Sequence, residues 1–228
     1  LVKRPADSFP RRIVIVGAGS QGAIVADILQ RAREAGSTGE AIGFVDDTTS
    51  LHRGTILDLP VLGPIDSLSS IEHDAIVVAI GDNGRRRAMT ERLLARGERL
   101  TTAIHPFTSI ARSATIGEGS MISAGALLLP RCAVGISTLL NSKASVDHDT
   151  ILGDYVHVSA GGTVGANVRI GDETLIALGA SVASERTIGA RTIIGAGAVV
   201  VRDIPDDVIA FGVPARVTSD RRSENPSR

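Results

Sequence analysis

From Ile104 to Val200 every sixth residue is aliphatic, seventeen positions in a row without a slip of phase. Neither a helix nor an ordinary strand repeats at six, so the rhythm demands a repetitive coil rather than a packed mixture of elements. The next residue is glycine at positions 117, 135, 153, 165, 171, 189 and 195, as tight corners require, and the residue four places on is mostly small. Arg186 and Ile204 are the departures. The physical reading is a three-sided prism. Each hexad contributes a short strand, sends its aliphatic side chain to the axis and a small one into the corner, and three hexads close a turn of eighteen residues. With strands stacked ~4.8 Å apart, such a prism stands roughly 27 Å tall. The 25 glycines in 228 residues, about 11% against a usual ~7%, suit a chain built mostly of turns.

Up to about residue 103 the pattern is different. Arg12–Val16 is β-branched and reads as a strand, and 21–35 carries Ala23, Ile24, Ile28 and Leu29 on one helical face. A second strand covers Ala41–Val45, and Asp74–Ile80 is a continuous apolar run of the kind buried on both faces of a parallel sheet. A second helix over 85–96 turns Met89, Leu93 and Leu94 inward, and a last strand, Leu100–Ile104, leads out. Strand–helix alternation predicts a small Rossmann-like α/β domain over 1–103, followed by a parallel β-helix of hexapeptide repeats over 104–217. The polar, charged stretch 218–228 reads as a loose tail.

A formal net charge of −1 gives no field for gripping polyanions, and 2% aromatic residues cannot build base-stacking platforms, so nucleic acid is not an expected partner. The single cysteine, Cys132, excludes an internal disulfide framework and fits a reducing compartment. Neither a signal-like apolar segment nor a membrane-spanning run is present, so the expected location is the cytoplasm.

Gly17-Ala-Gly19-Ser-Gln-Gly22 follows a strand and opens a helix, the context in which a glycine turn lets backbone approach a phosphate at the helix N-terminus. Asp46-Asp47 after the next strand can accept from a ribose or a base. Gly81-Asp-Asn83 lies at the carboxyl end of the 74–80 strand, where ligands enter open α/β sheets. Gly17, Gly19, Asp46, Asp47, Gly81 and Asn83 are therefore the candidate contacts for a nucleotide or nucleotide sugar. A nicotinamide-dependent oxidoreductase is the alternative, but the chain shows no second α/β half to hold the nicotinamide.

Within the coil, polar side chains interrupt the repeat from Asn141 to His157. Asp149 beside His148 can hydrogen-bond one ring nitrogen, fix the tautomer and raise the basicity of the other nitrogen, which a general base near neutral pH requires. Cys132 falls in the small-residue column and reads as a corner filler. A metal site is not expected, because neither His148 nor His157 has a helical i, i+4 partner or an evident third ligand.

These stretches, with Asp203-Ile-Pro205 and Gly212-Val-Pro214-Ala215, resemble the hexapeptide-repeat acetyltransferases that modify bacterial sugars: nucleotide-linked amino-sugar N-acetyltransferases and sialic acid O-acetyltransferases. The resemblance covers about residues 12 to 217. It implies a left-handed coil, His148 as proton acceptor, Asp149 as the residue that raises its basicity, His157 as a contact to acetyl-CoA, and sugar-nucleotide contacts from Gly17, Gly19, Asp46 and Asp47. Lys143 stands at a turn position where a small residue is expected.

The eighteen-residue turn adds geometry of its own. Ala166 stacks directly above His148, placing a backbone N–H where it could face an oxyanion. Leu178 and Ala196 stack likewise, so a long thin arm such as pantetheine could meet both backbones in succession. His157, nine residues from His148, lies half a turn away, so one chain cannot bring both rings to one reacting atom. A homotrimer with sites between subunits resolves this, in agreement with the trimers of the family. The expected activity is direct acetyl transfer from acetyl-CoA to the amine of a nucleotide-linked sugar. O-acetylation of a sialic-acid-like sugar and a non-catalytic sugar-nucleotide sensor stand as alternatives.

Overall fold

The computed structural model describes residues 10–221. Five strands, β1 (Arg12–Val16), β2 (Glu40–Val45), β3 (Thr55–Ile56), β4 (Leu59–Gly63) and β5 (Ala75–Val78), form a sheet in the order β3-β4-β2-β1-β5. All its pairings are parallel except the β3–β4 hairpin, which the sequence pattern did not announce. The four residues of β5 and the last four of β1 are buried, as continuous apolar runs at the centre of a parallel sheet should be. The expected strand over 100–104 is divided: Leu100 bridges to Ile76 of β5, whereas Ala103–Ile104 already belongs to the coil.

Two helices flank this sheet, α1 (Ser20–Glu34) and α2 (Asn83–Leu94). The buried side of α1 is Val25, Ala26, Ile28 and Leu29; Ile24, expected to face inward, is exposed. The inward side of α2 is Asn83, Arg86, Thr90 and Leu93, while Leu94 is exposed. Hydrophobic spacing misjudges α2 because the helix docks on coil backbone whose carbonyl groups demand donors.

From Ala103–Ile104 to Val199–Val200 the chain forms two-residue strands, and the hexad residue is the second residue of every one. Among these strands partners are eighteen residues apart, as in Leu128↔Val146 and Leu140↔Val158. The strands stack into three parallel faces: a first through Leu128, Val146 and Val164, a second through Val134, Leu152 and Ile170, and a third through Leu140, Val158 and Ile176. The hexad side chains fill the axis with Ala126, Cys132, Ala144, Val156, Val168, Ala180 and Ala198 in the corners.

From 119 to 197 the fourth residue of each hexad, counted from the aliphatic one, holds the left-handed conformation that lets the chain turn a corner. It is glycine at 119, 125, 161, 179 and 197, but Arg131 (φ 62°), Lys143 (φ 60°), Asp149 (φ 59°) and Tyr155 (φ 58°) occupy equivalent sites. The glycines that follow the aliphatic residue serve a different need from the one expected. A Cβ on Gly135 would stand 2.5 Å from the carbonyl carbon of Gly153 on the next coil, so their role is close approach rather than an unusual φ. Hydroxyls tie neighbouring coils together: Thr150 Oγ1 donates to Gly165 O (2.7 Å) and accepts from Val168 N–H (3.1 Å).

The two parts share a core. Ala103, Met121 and Leu139 on the third face pack into one cluster with Ile13, Ile15 and Val25 of the α/β part. At the far end Val208–Phe211 pairs with Ile193–Ile194 and with Arg216–Asp220, which covers the open edge of the third face. Residues 218–220, expected in a loose tail, are thus strand, and Arg221 Nη1 donates to Arg191 O (2.7 Å). The remainder of that expected tail, 222–228, lies outside the described residues.

Close approach and left-handed φ should separate under mutation. Gly161→Ala meets open space and should cost about 1–2 kcal/mol for its φ of +66°. Gly135→Ala must push two coil backbones apart and should cost more, read as the larger drop in thermal midpoint.

Candidate active site

At the carboxyl ends of the α/β strands, Gly17 (φ +104°) bends the chain from β1 into α1, and a Cβ there would meet Ala79 O at 2.9 Å. A Cβ on Gly22 would collide with the Gly17 carbonyl oxygen. Gly19 is open, and as the N-cap of α1 it brings no capping side chain, while the first turn of the helix carries no acid. Its leading N–H groups therefore face outward, favourable to an anion.

Asp46 and Asp47 stand beside this turn, but both make internal bonds. Asp46 accepts from Ala18 N–H and Thr48 N–H, each at 2.8 Å, and Asp47 accepts from Ile65 N–H at 2.9 Å. Partial burial pushes the Asp46 carboxyl up, but the Ala18 and Thr48 donors together outweigh it and hold the group below its ordinary value. Each acid thus shapes the turn, with lone pairs left for a ligand. Gly81 is exposed and open. Asn83 departs from expectation: its Nδ2 donates to Glu173 O (2.9 Å) and Thr174 O (3.2 Å), its Oδ1 accepts from Arg86, and it is buried. It fastens α2 to the coil, so it is not a substrate contact.

Arg86 is the residue sequence reasoning missed. Fully buried, it donates to Ile80 O (3.0 Å) and Gly81 O (3.1 Å) after β5, to Asn83 Oδ1 (2.8 Å), and to Ser137 O (2.8 Å) and Tyr155 O (2.7 Å) of the coil. Burial pulls its pKa down to about 10, which still leaves it cationic at neutral pH. The polar spacing Asn83, Arg86, Thr90 on a helix is the sequence signal that such a docking face exists.

His157 lies on the third face, immediately after the Tyr155 and Val156 carbonyls that Arg86 reaches. Burial, then the charge of Arg86, lower its pKa to about 4 against the opposing hydrogen bond that the ring donates to the Gly81 backbone, so the ring is neutral at neutral pH. Ser159 Oγ lies 3.4 Å from its Nε2. On the adjoining corner, between the third and first faces, Ala160, Leu178 and Ala196 stack in one column. Among the described residues no hydrogen bond reaches their N–H groups, and beside them Gly161, Gly179 and Gly197 leave the surface open. On the other corners several equivalent N–H groups are taken: Ile136 by Asp154 (2.8 Å), and Ala166 by Ser184 Oγ (3.1 Å). Ala166, expected to face an oxyanion, is therefore already engaged by the hydroxyl one coil above.

His148 sits on another corner, between the first and second faces, with its side chain 47% exposed. Its Nδ1 lies 2.7 Å from Asp149 Oδ2, which leaves Nε2 to point outward. Arg131, one coil below, grips both Asp149 oxygens at 2.6 and 2.7 Å. The eighteen-residue rule that stacks Ala166 over His148 stacks Asp149 over Arg131, and would have found it. Cys132 is buried at a corner, where desolvation pushes its thiol up, an unreactive setting. The structure thus gathers Gly17, Gly19, Asp46, Gly81 and His157 along one side, and keeps His148 apart from them.

Comparison with known proteins decides the family. The PglD N-terminal domain matches residues 12–93. A mutant of perosamine N-acetyltransferase from Caulobacter crescentus, solved with CoA and GDP-perosamine, is 33% identical with a TM-score of 0.85, over 91% of this chain and 97% of that one. The acetyltransferase domain of PglB from Neisseria gonorrhoeae, solved with acetyl coenzyme A, is 37% identical with a TM-score of 0.84, over 91% and 99%. WeeI from Acinetobacter baumannii is 27% identical with a TM-score of 0.73, over 90% and 99%. The chain belongs to the hexapeptide-repeat nucleotide-sugar acetyltransferases. Like others of this acyltransferase family, it joins a Rossmann-like α/β part to a left-handed parallel β-helix. No described helix is long and apolar enough to cross a membrane.

The neutral His157 has a signature in stability. Its folded pKa of about 4 lies below the ordinary 6.5, so its contribution is present above pH 6.5 and is lost as pH falls toward 4. Asp46 and Asp149, whose carboxyl pKa values are lowered, act only below their ordinary range. Between pH 7 and 4.5 the wild type should therefore lose about 2 kcal/mol more than His157→Gln, measured by denaturant unfolding at both pH values.

Proposed function

We propose that this chain transfers an acetyl group from acetyl-CoA to the amine of a nucleotide-linked amino sugar, with His148 as general base and the site completed between subunits of a homotrimer. In this reading residues 1–103 hold the nucleotide through Gly17, Gly19, Asp46, Asp47 and Gly81, and 104–217 hold acetyl-CoA through His157, Leu178 and Ala196. The observation that carries it is the placement of the His148–Asp149 dyad on one corner, with the neutral His157 and the unpaired N–H row on the opposite side. Support for the co-substrate comes from the acetyl coenzyme A in the PglB domain, and for the acceptor from the GDP-perosamine in the Caulobacter enzyme.

The chemistry follows from the groups present. The sugar amine attacks the thioester carbonyl carbon, a C–N bond forms, and His148 Nε2 accepts the amine proton. Asp149 holds Nδ1 so that Nε2 is the free acceptor. Collapse of the tetrahedral intermediate breaks the C–S bond, and the CoA thiolate leaves to take up a proton. The N–H groups of Ala160, Leu178 and Ala196 offer successive donors to the amide carbonyls of pantetheine, and a neutral His157 can pair with an uncharged acyl or amide group. Three-fold packing of prisms would set the His148 corner of one subunit against the His157 side of the next.

Acetyl-CoA mixed with nucleotide amino sugars should release free thiol, and the corresponding hydroxyl sugars should not. His148→Ala should lower kcat by about 10²–10⁴-fold with fold and oligomer intact; full activity in that variant would remove the base. Shared sites make a second prediction. His148→Ala and His157→Ala subunits, each inactive alone, should regain about a quarter of wild-type activity when reassembled one to one, since random three-fold assembly leaves that fraction of interfaces intact. No recovery would mean that each site takes both rings from one chain and would overturn the shared site.

A further inference from the structure

Asp149 carries more than His148 needs for a simple pair. Its Oδ1 accepts from Arg131 Nε at 2.6 Å, and its Oδ2 accepts from Arg131 Nη2 at 2.7 Å while also lying 2.7 Å from His148 Nδ1. Both ends of the fork are anchored by backbone. Arg131 and Asp149 hold the same left-handed turn position on successive coils (φ 62° and 59°), and Arg131 N–H is bound by Ser113 Oγ at 3.1 Å. An exposed arginine–carboxylate pair is ordinarily loose, but here two rigid turns set the spacing and the planar fork fixes the carboxylate plane.

We propose that Arg131 is a positioning residue for the base: it fixes the Asp149 carboxylate against His148 Nδ1 and offsets its charge, so that the imidazole is oriented without the full pull of an unpaired carboxylate. This rests on the reading of His148 as general base. A carboxylate paired with the imidazole alone would stabilise the imidazolium, and a base already protonated accepts nothing. With Arg131 in place the dyad's negative charge is balanced by the guanidinium, and the orienting hydrogen bond persists without the full electrostatic pull. The Arg131 bond is the main cause holding the Asp149 carboxyl far below its usual range, so it stays ionised throughout the working pH range.

Other charges near the base are few. Asp147 Oδ1 accepts from His148 N–H at 2.7 Å, and by the eighteen-residue register Arg112 and Glu185 lie two coils down and two coils up the same corner. None of these grips the Asp149 carboxylate, so Arg131 is the residue whose removal changes the dyad.

The test is a pH–rate profile of Arg131→Met beside Arg131→Lys, with an NMR titration of the His148 ring in each protein without substrate. In Arg131→Met the His148 titration and the acid limb of kcat/KM should both move to higher pH by about half a unit to one unit. Its plateau kcat should fall roughly tenfold, with KM for acetyl-CoA little changed. Arg131→Lys, which keeps the charge but not the fork, should keep the limb near wild type and recover only part of kcat. A methionine variant with lower thermal stability and an unmoved titration would show a coil-to-coil staple and overturn the proposal; if it does not fold, an unmoved limb in Arg131→Gln does the same. Full activity in His148→Ala would instead sink the general-base reading, while the NMR shift would still report whether Arg131 governs the ring.

Discussion

Everything in the coil is placed by the repeat distance of eighteen residues. A strand two residues long has almost no stability by itself, so each is held only by the strand above and the strand below, in register, with an aliphatic residue on the axis. The register holds without a slip because the corner allows no other solution: a left-handed residue at the fourth position and, where coils pass closest, a glycine that admits the next backbone. Side chains with polar chemistry can therefore occupy the turns without disturbing the core. Arg131, Lys143, Asp149 and Tyr155 all stand where glycine stands elsewhere, and turn positions are where this coil can carry function.

The second constraint is the joint between the coil and the α/β part. Apolar contact through Met121 and Leu139 gives adhesion, but direction comes from Arg86, whose guanidinium is saturated by carbonyls from the β5 loop and from two coils. A buried cation without a carboxylate in contact is tolerated only when every N–H finds an acceptor. Burial first, and then the same charge, keep His157 neutral. One residue thus fixes the distance between the Gly81 loop and the coil and also adds to the electrostatics of the ring between them.

Much of this was legible in the sequence, and what was not has physical reasons. The hexad is visible because axis positions admit only aliphatic side chains, so all seventeen could be read off and each proved to be the second residue of a strand. The glycine turn was legible because it sits between a strand and a helix. The inward face of α2 was not, since burial there is polar and hydrophobic spacing pointed to Leu94, which faces solvent. Asn83 and Ala166 were misassigned for a common reason: spacing shows where a polar group lies but not which neighbour has already taken its hydrogen bonds. Arg131 could have been found by the stacking rule, because any residue eighteen before a candidate lies beneath it.

Under the proposed division of roles, the stacking rule also explains why a prism of this kind would need company to do chemistry. Residues on one corner can approach only those on the same corner, above or below, because the packed axis separates the three sides. His148 and Asp149 have on their corner a cation from below and an N–H above that is already bonded. The open N–H row and the neutral imidazole belong to the other side. No rotamer change crosses an axis filled by Val146, Leu152 and Val158, so flexibility within one chain cannot bring the two sets together. A flat-sided prism does have an economical solution: its faces and corners can meet those of identical prisms, and a three-fold arrangement would bring unlike corners into contact at each interface. The geometry that keeps the two histidines apart in one chain would then bring them together in the assembly.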